Sequence, residues 1–307
     1  MPKEIYNSNY NFFKKSEILN FEEIIRITKI LASFGVKKVR LTGGEPLLRN
    51  NIHLLVEELK KIDEIKDISM TTNGVLLSKK KAKLLKEAGL NRLTVSLDSL
   101  DPEKFHKISG SKYSPQDVLK GVENAKDSGF ENIKINTVVK KNINETDILS
   151  MLDHFKDTGC IVRFIEFMDV GNVNLWEKSD VLTLNDIINI ISEKYSVSPL
   201  ERNYKSEVAK RWSYEGGEFG IISSISKPFC GDCSRVRLTA EGKLFTCLFA
   251  SNSHDVKKIL RSSESNISIS NYLMDMWSER DDRYSETRMS KNSYKLIKKA
   301  EMSYIGG

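Results

Sequence analysis

The sequence is short of most things that would place it outside an ordinary globular fold. It has no run of about 18 apolar residues, so no membrane-spanning helix is expected. Residues 1–15, MPKEIYNSNYNFFKK, hold no continuous apolar segment, so no secretory signal is expected either. Only four of the 307 residues are cysteine. They are too few and too irregular for a disulfide framework, which points to a reducing cytoplasm. Charge of one sign is scarce as well: 48 basic and 42 acidic residues leave a net +6. An excess this mild slightly favours phosphorylated small molecules and does not argue for nucleic acid.

Three of the four cysteines fall in one stretch, FCGDCSRVRLTAEGKLFTC (229–247), as Cys230, Cys233 and Cys247. Two thiolates two residues apart can grip one metal centre from a single turn. A third from the next strand closes a face, with 235–239 and 243–246 as the arms of a hairpin and Glu241-Gly242 at its tip. Three ligands are one short of a structural zinc site or an all-cysteine iron–sulfur cluster. The fourth position therefore belongs to a histidine, for which His254 is the candidate, or to a substrate. Arg235 and Arg237 lie between the second and third cysteines, and planar guanidiniums beside an open metal position suit a phosphate-bearing ligand. The fourth cysteine, Cys160, follows Gly159 at the start of a strand and reads as a buried thiol.

The rest of the chain alternates strand and helix. Asn20 caps a helix with Glu23 completing a capping box, Ile24, Ile27, Leu31 and Phe34 form its apolar face, and Gly35 ends it. Strands are expected at 36–41, near Ile68, at 93–98, 133–139 and 161–168, with helices near 51–62, 78–88, 115–127 and 145–156 between them. This order predicts parallel strands with helical crossovers. Arg40, Lys134, Asn136, Arg163 and Glu166 interrupt strands that should otherwise be apolar on both faces. Their presence predicts a barrel or half-barrel with a wet interior and a site at the C-terminal strand ends. After Met168 the pattern changes to loop with a helix at 184–194, short strands over 206–247, a helical turn or two at 254–261 and an amphipathic helix at 267–277. His53, His106, His154 and the run Lys79-Lys80-Lys81 read as surface residues.

Taken in order, VRLTGGEPLLR (39–49), TTNG (71–74), VSLDSLD (95–101), KINTVV (134–139), RFIEFM (163–168), CGDCSRVRLT (230–239) and the final Gly306-Gly307 resemble the radical S-adenosylmethionine (SAM) superfamily. Within it, they resemble the GTP 3′,8-cyclase family of molybdenum cofactor biosynthesis. The resemblance spans essentially the whole chain. It implies an α/β fold: a partial (β/α)6 barrel over 1–205, and a C-terminal region over 206–307 that holds an auxiliary 4Fe–4S cluster on Cys230, Cys233 and Cys247. It implies GTP contacts at Arg40, Thr71, Lys134, Arg235, Val236 and Arg237, with Arg235 and Arg237 shaping catalysis. Gly44, Ser96 and Met168 are implied to contact SAM. The implied reaction is radical abstraction of the ribose 3′ hydrogen of GTP and attack on guanine C8, giving (8S)-3′,8-cyclo-7,8-dihydroguanosine 5′-triphosphate. The implied partners are GTP, SAM and an unidentified reductant protein, with the chain a monomer or a homodimer, and neither nucleic acid nor membrane involved.

The family's C-x3-C-x2-C motif, which holds the SAM-cleaving cluster, is absent from these residues, as is a strand before the first helix. The expectation is a chain that begins just after that motif and is inactive unless extended. Two other readings stand beside it: a non-catalytic GTP- or metal-binding fragment, and a radical SAM peptide-modifying enzyme. Arg40 and Lys134 have a plainer reading as internal salt-bridge partners of Glu45 or Glu166.

Overall fold

The structure is a computed structural model; it describes residues 13–172, 174, 176–262, 264–287 and 299–306. The first helix, α1 (Phe21–Ser33), carries the expected capping box. The Asn20 side chain accepts from the Glu23 amide at 2.7 Å, and the Glu23 carboxylate accepts from the Asn20 amide at 2.8 Å. It leads into β1 (Lys38–Leu41), α2 (Ile52–Lys60), β2 (Asp67–Thr72), α3 (Lys79–Glu87) and β3 (Arg92–Ser96). Next come α4 (Pro102–Ser109), α5 (Pro115–Asp127), β4 (Lys134–Val139), α6 (Ile148–Phe155), β5 (Ile161–Glu166) and α7 (Leu184–Ser192). The short helix α4 was not expected. Its start is set by Asp101, which accepts from the Glu103 and Lys104 amides, and by Pro102 in the first turn.

The chain then turns back along the same sheet. Strands β6 (Ser198–Leu200), β7 (Lys210–Tyr214) and β8 (Gly217–Ile222) extend it, giving the order β1-β2-β3-β4-β5-β8-β7-β6. The pairs from β1 through β5 to β8 are parallel, and β8-β7-β6 is an antiparallel meander. The sheet thus continues across position 205. It is mostly parallel with helical crossovers, as the alternation predicted, and β1 and β6 are its two edges. Ile68, Met70, Leu93, Val95, Ile135, Val139, Val162 and Phe164 are buried against the crossover helices in one apolar cluster with Leu55, Leu59, Leu85, Val118 and Leu152. The other face bears the polar strand residues.

A three-stranded sheet follows, from β9 (Arg237–Leu238), β10 (Lys243–Phe245) and β11 (His254–Asp255) in the order β11-β10-β9, all antiparallel. The expected hairpin is there, shorter than predicted and widened by β11. Helices α8 (Val256–Arg261) and α9 (Asn266–Ser278) pack on it. A second apolar cluster joins Leu244, Val256, Leu260, Ile269, Leu273 and Met276 to Ile27 and Ile30 of α1. Helix α1 therefore belongs to both cores. Arg26 on α1 strengthens the tie, donating to the Leu260 carbonyl at 3.2 Å, the Glu264 carbonyl at 2.6 Å and Asn266 Oδ1 at 2.9 Å. This attachment sets where the cysteine hairpin stands relative to the large sheet.

Candidate active site

Alternation along the strands puts Arg40, Thr71, Arg92, Lys134, Asn136 and Arg163 on the face away from the crossover helices. Register aligns them laterally: Arg40 with Ser69 and Arg92, Thr71 with Thr94 and Lys134, Asn136 with Arg163. Arg40 Nη1 donates to Thr71 Oγ1 at 3.3 Å. Gly220 lies opposite Arg163 in β8, where a Cβ would stand 3.2 Å from Ala209 Cβ and 3.5 Å from Arg163 Cγ. A side chain there would crowd the arginine stem.

Collecting cations on one face has an electrostatic cost. Burial and the neighbouring Arg163, Arg92 and Arg40 push Lys134 down to about 8. Burial and Arg40 push Arg163 down to about 10, and burial with Arg92 and Arg235 nearby lowers Arg40. Arg40 keeps exposed surface, so its lowering reflects partial desolvation against the sheet face together with the neighbouring cations. Among the described residues, Arg92 has an ion-pair partner, Asp67, gripped by two nitrogens. Among the described residues, Arg40, Lys134 and Arg163 have no carboxylate at ion-pair distance. Glu207 lies near enough to act on Lys134 and Arg163, but it is hydrogen-bonded to the Asn203 amide at 2.7 Å.

The plainer reading of Arg40 and Lys134 is corrected by where the two glutamates go. Glu45 accepts from the Leu47 amide, Thr72 Oγ1 and the Asn73 amide at 3.0, 2.7 and 2.8 Å, tying the GGEP loop to TTNG. Glu166 is fully buried and accepts from the Leu184, Ile225 and Ser226 amides at 2.8, 2.8 and 2.9 Å. Its polarity in the strand serves a backbone junction and not a wet interior.

Gly44, Ser96 and Met168 lie at or just beyond the C-terminal ends of β1, β3 and β5, which share one edge of the parallel sheet. Glu45 holds the loop beside Gly44, and the Met168 carbonyl accepts from Asn174 Nδ2 at 2.8 Å. Asn136 pairs in register with Ser96, and its buried Oδ1 has no hydrogen-bond donor among the described residues. A buried acceptor without a donor is costly unless a ligand supplies one.

The cysteine hairpin faces this wall. Arg235 donates to Cys233 Sγ at 3.2 Å and lies 5.2 Å from the centre of the Phe229 ring. Arg237 donates to the Gly306 carbonyl at 3.3 Å and is pushed down to about 10 by burial and Arg235, an effect the Cys233 and Cys247 thiols oppose. Both arginines act electrostatically on Arg40 or feel it, so the structure brings Arg40, Arg235 and Arg237 together. Val236, between them in sequence, packs its side chain on the second apolar cluster. Gly306 itself adopts φ 75° beside the GGEP loop, and a Cβ there would meet Thr42 Cγ2 at 2.5 Å. Gly307 lies outside the described residues.

The three thiols are half-buried, Cys230 acts on Cys247, and Cys233 and Cys247 both act on Arg237. Soft thiolates beside guanidiniums are a donor set that fits an iron–sulfur cluster with a polyanion next to it. Among the described residues no three His, Cys, Asp or Glu side chains are grouped closely enough to hold a metal ion. His254, the zinc alternative's fourth ligand, faces Tyr272, with Nδ1 3.4 Å from the phenol oxygen. Cys160 is a half-buried thiol pushed up by burial. No C-x3-C-x2-C set exists among the 307 residues, so no residue here fits a SAM-cleaving cluster.

Sequence reasoning missed Arg92, Tyr204 and Glu207 as parts of this site. Arg163 was visible as a polar break in a strand, whereas Arg92 lay just before the strand expected at 93–98 and begins β3 in the structure. Tyr204 and Glu207 come from the β6–β7 connection, where nothing in the local pattern marks them.

A mostly parallel sheet with helical crossovers, a GGEP loop at its C-terminal edge and a cysteine hairpin facing it define the radical SAM class. The Radical SAM superfamily model matches residues 5–155, and the Molybdenum Cofactor Synthesis C model matches residues 160–286. Streptococcus suis SuiB bound to S-adenosylmethionine shares the fold, with a TM-score of 0.62 and 14% identity over 95% of this chain and 67% of that one. Native anSMEcpe with bound AdoMet has a TM-score of 0.54 and 17% identity over 86% and 76%. The GTP 3′,8-cyclase of Staphylococcus haemolyticus is 44% identical over 311 residues, covering 100% of this chain and 91% of the relative. That of Acidothermus cellulolyticus is 42% identical over 332 residues with the same coverage. The chain belongs to the GTP 3′,8-cyclase family of the radical SAM superfamily.

Proposed function

We infer that the protein is a GTP 3′,8-cyclase of molybdenum cofactor biosynthesis, a lyase acting on GTP with SAM. The observation that carries this is the full-length likeness to cyclases at 42–44% identity, and the site chemistry supports it. Arg40, Lys134 and Arg163 are cations without in-chain carboxylate partners among the described residues, and a triphosphate would offset the cost of burying them together. Thr71 orients Arg40. Arg235 and Arg237 reach the same ligand from the hairpin, where guanidinium forks match phosphate or purine acceptors. Gly44, Ser96 and Met168 form the SAM side of the recess, with Asn136 between Ser96 and Arg163 to accept from a bound hydroxyl or amine.

Cys230, Cys233 and Cys247 would hold the auxiliary 4Fe–4S cluster in this reading, and that group would supply a Lewis-acidic iron to the purine. The chain's own residues bind the triphosphate, hold the base against the hairpin and exclude water from between them. A reductant protein and cytoplasmic location complete the reading, in keeping with no described helix being long and apolar enough to cross a membrane.

The test is GTP binding to anaerobically iron–sulfide-reconstituted protein. Arg237→Ala should weaken binding at least tenfold, about 1.4 kcal/mol, with iron content unchanged. Equal GTP affinity in the variant would remove Arg237 from the site. A colourless protein with stoichiometric zinc would instead favour a binding module.

A further inference from the structure

The three cysteines are not electrostatically alike. Cys233 is bracketed by two guanidiniums. Arg235 donates to its sulfur at 3.2 Å, and Arg280, just beyond α9, donates through Nη1 to its carbonyl at 2.7 Å. Arg280 is well enclosed: its side chain is 11% exposed and lies 4.7 Å from the centre of the Trp277 ring. Its Nε donates to Asp282 at 3.1 Å, which fixes the guanidinium in the Cys233 direction. Cys247 has a different environment. Its sulfur accepts from the Phe249 amide at 3.4 Å, and the carboxylate of Asp282 acts on it.

We propose that Arg280 is a positioning residue that raises the reduction potential of an iron–sulfur cluster held by Cys230, Cys233 and Cys247, with Asp282 opposing it. This rests on the reading above that these cysteines bind such a cluster. The physical reason is general. Reducing a thiolate-ligated cluster adds one negative charge, so an enclosed cation hydrogen-bonded at a ligand residue stabilises the reduced form, and an enclosed carboxylate destabilises it. Arg235 and Arg237 face the same cluster, but both also face the cationic wall and a bound anion would screen them. Arg280 is held on the side of Trp277 and Asp282, where it acts whether or not a nucleotide is bound. It would keep the cluster reducible beside a polyanion that otherwise lowers its potential.

The experiment is an EPR-monitored redox titration of the 307-residue chain after anaerobic reconstitution. Only one cysteine lies outside the hairpin, so a 4Fe–4S signal comes from this site. Arg280→Gln should move the midpoint potential to more negative values, Asp282→Asn to more positive values, and Arg280→Lys should stay nearer the parent. A purely structural role would change iron content and leave the potentials of the remaining clusters alone. Unchanged midpoints in both Arg280→Gln and Asp282→Asn, or shifts of the same sign, overturn the proposal. If Arg280→Gln cannot hold iron, the positive shift in Asp282→Asn decides, and its absence counts against the proposal. A parent that assembles no cluster overturns this proposal together with the cluster reading, whereas a cluster with indifferent potentials overturns this proposal alone.

Discussion

Two regions of the molecule enclose a lysine, Lys299 fully and Lys134 by half, and they do it in opposite ways. At the C-terminal tail, Lys299 Nζ reaches Asp169 Oδ2 at 2.8 Å and the Asp169 carbonyl at 2.9 Å, with side chains 6% and 7% exposed. On the polar sheet face, Lys134 stands with Arg40, Arg92 and Arg163, and no carboxylate among the described residues stands at ion-pair distance. The first lysine is neutralised within the chain and anchors the segment that carries Gly306. The second is left with its charge uncompensated, which is what a site for an anionic ligand requires. Partnered burial builds structure, and unpartnered burial awaits a ligand.

Breaking the partnered lysine gives the largest expected effect. Asp169→Ala strands Lys299 and should cost about 3–5 kcal/mol of stability, read as a lower midpoint in urea unfolding. Lys134→Met should have the opposite sign for the ligand-free chain, which should unfold at higher urea, while GTP binding falls by about 1.5–3 kcal/mol, roughly ten- to a hundredfold in Kd. If both variants lose stability, the contrast between the two lysines is wrong.

A pH titration sharpens the same contrast. Lys134 is depressed to about 8 from 10.5, so its charged form is disfavoured in the fold. That penalty is fully present below pH 8 and is relieved as pH rises from 8 toward 10.5. A bound polyanion restores the proton. GTP affinity measured by calorimetry should therefore fall as pH rises above 8, by at most about tenfold per unit, and binding near pH 8 should take up a proton. In Lys134→Met this pH dependence should flatten. The smallest effect is expected at the tail's end. Gly306→Ala forces a side chain into φ 75° and against Thr42, costing on the order of 1 kcal/mol. Faster hydrogen exchange of the Ile305 amide, which bonds the Glu301 carbonyl at 3.1 Å, would report the loosened tail.

Much of the fold was legible because its signals are local. The Asn20–Glu23 capping box, the apolar spacing of α1 and the strand–helix alternation from 36 to 166 all follow from short-range patterns. The sheet's continuation through β8, β7 and β6 was not: β7 and β8 fall in a stretch that reads as short strands without stating which sheet they join, and the exposed β6 falls in a stretch that reads as loop. Polar breaks in apolar strands marked Arg40, Lys134 and Arg163 as one group, yet the same signal misplaced Glu166. Arg163 and Glu166 are three apart in one strand, so alternation sends them to opposite faces, and only the packing showed that Glu166 caps three backbone amides.

The sequence by itself determined the family, the parallel strand order over 36–166 and the cysteine triad with its two arginines. Such features are written in spacing and residue type, which survive without knowledge of distant contacts. Tertiary structure decided what faces what: that α1 fastens the hairpin to the large sheet, that Arg40, Lys134 and Arg163 lack carboxylates among the described residues, and that Arg280 stands on Cys233 from 47 residues away. Charge compensation and burial depend on every neighbour at once, and those neighbours meet only when the chain is folded.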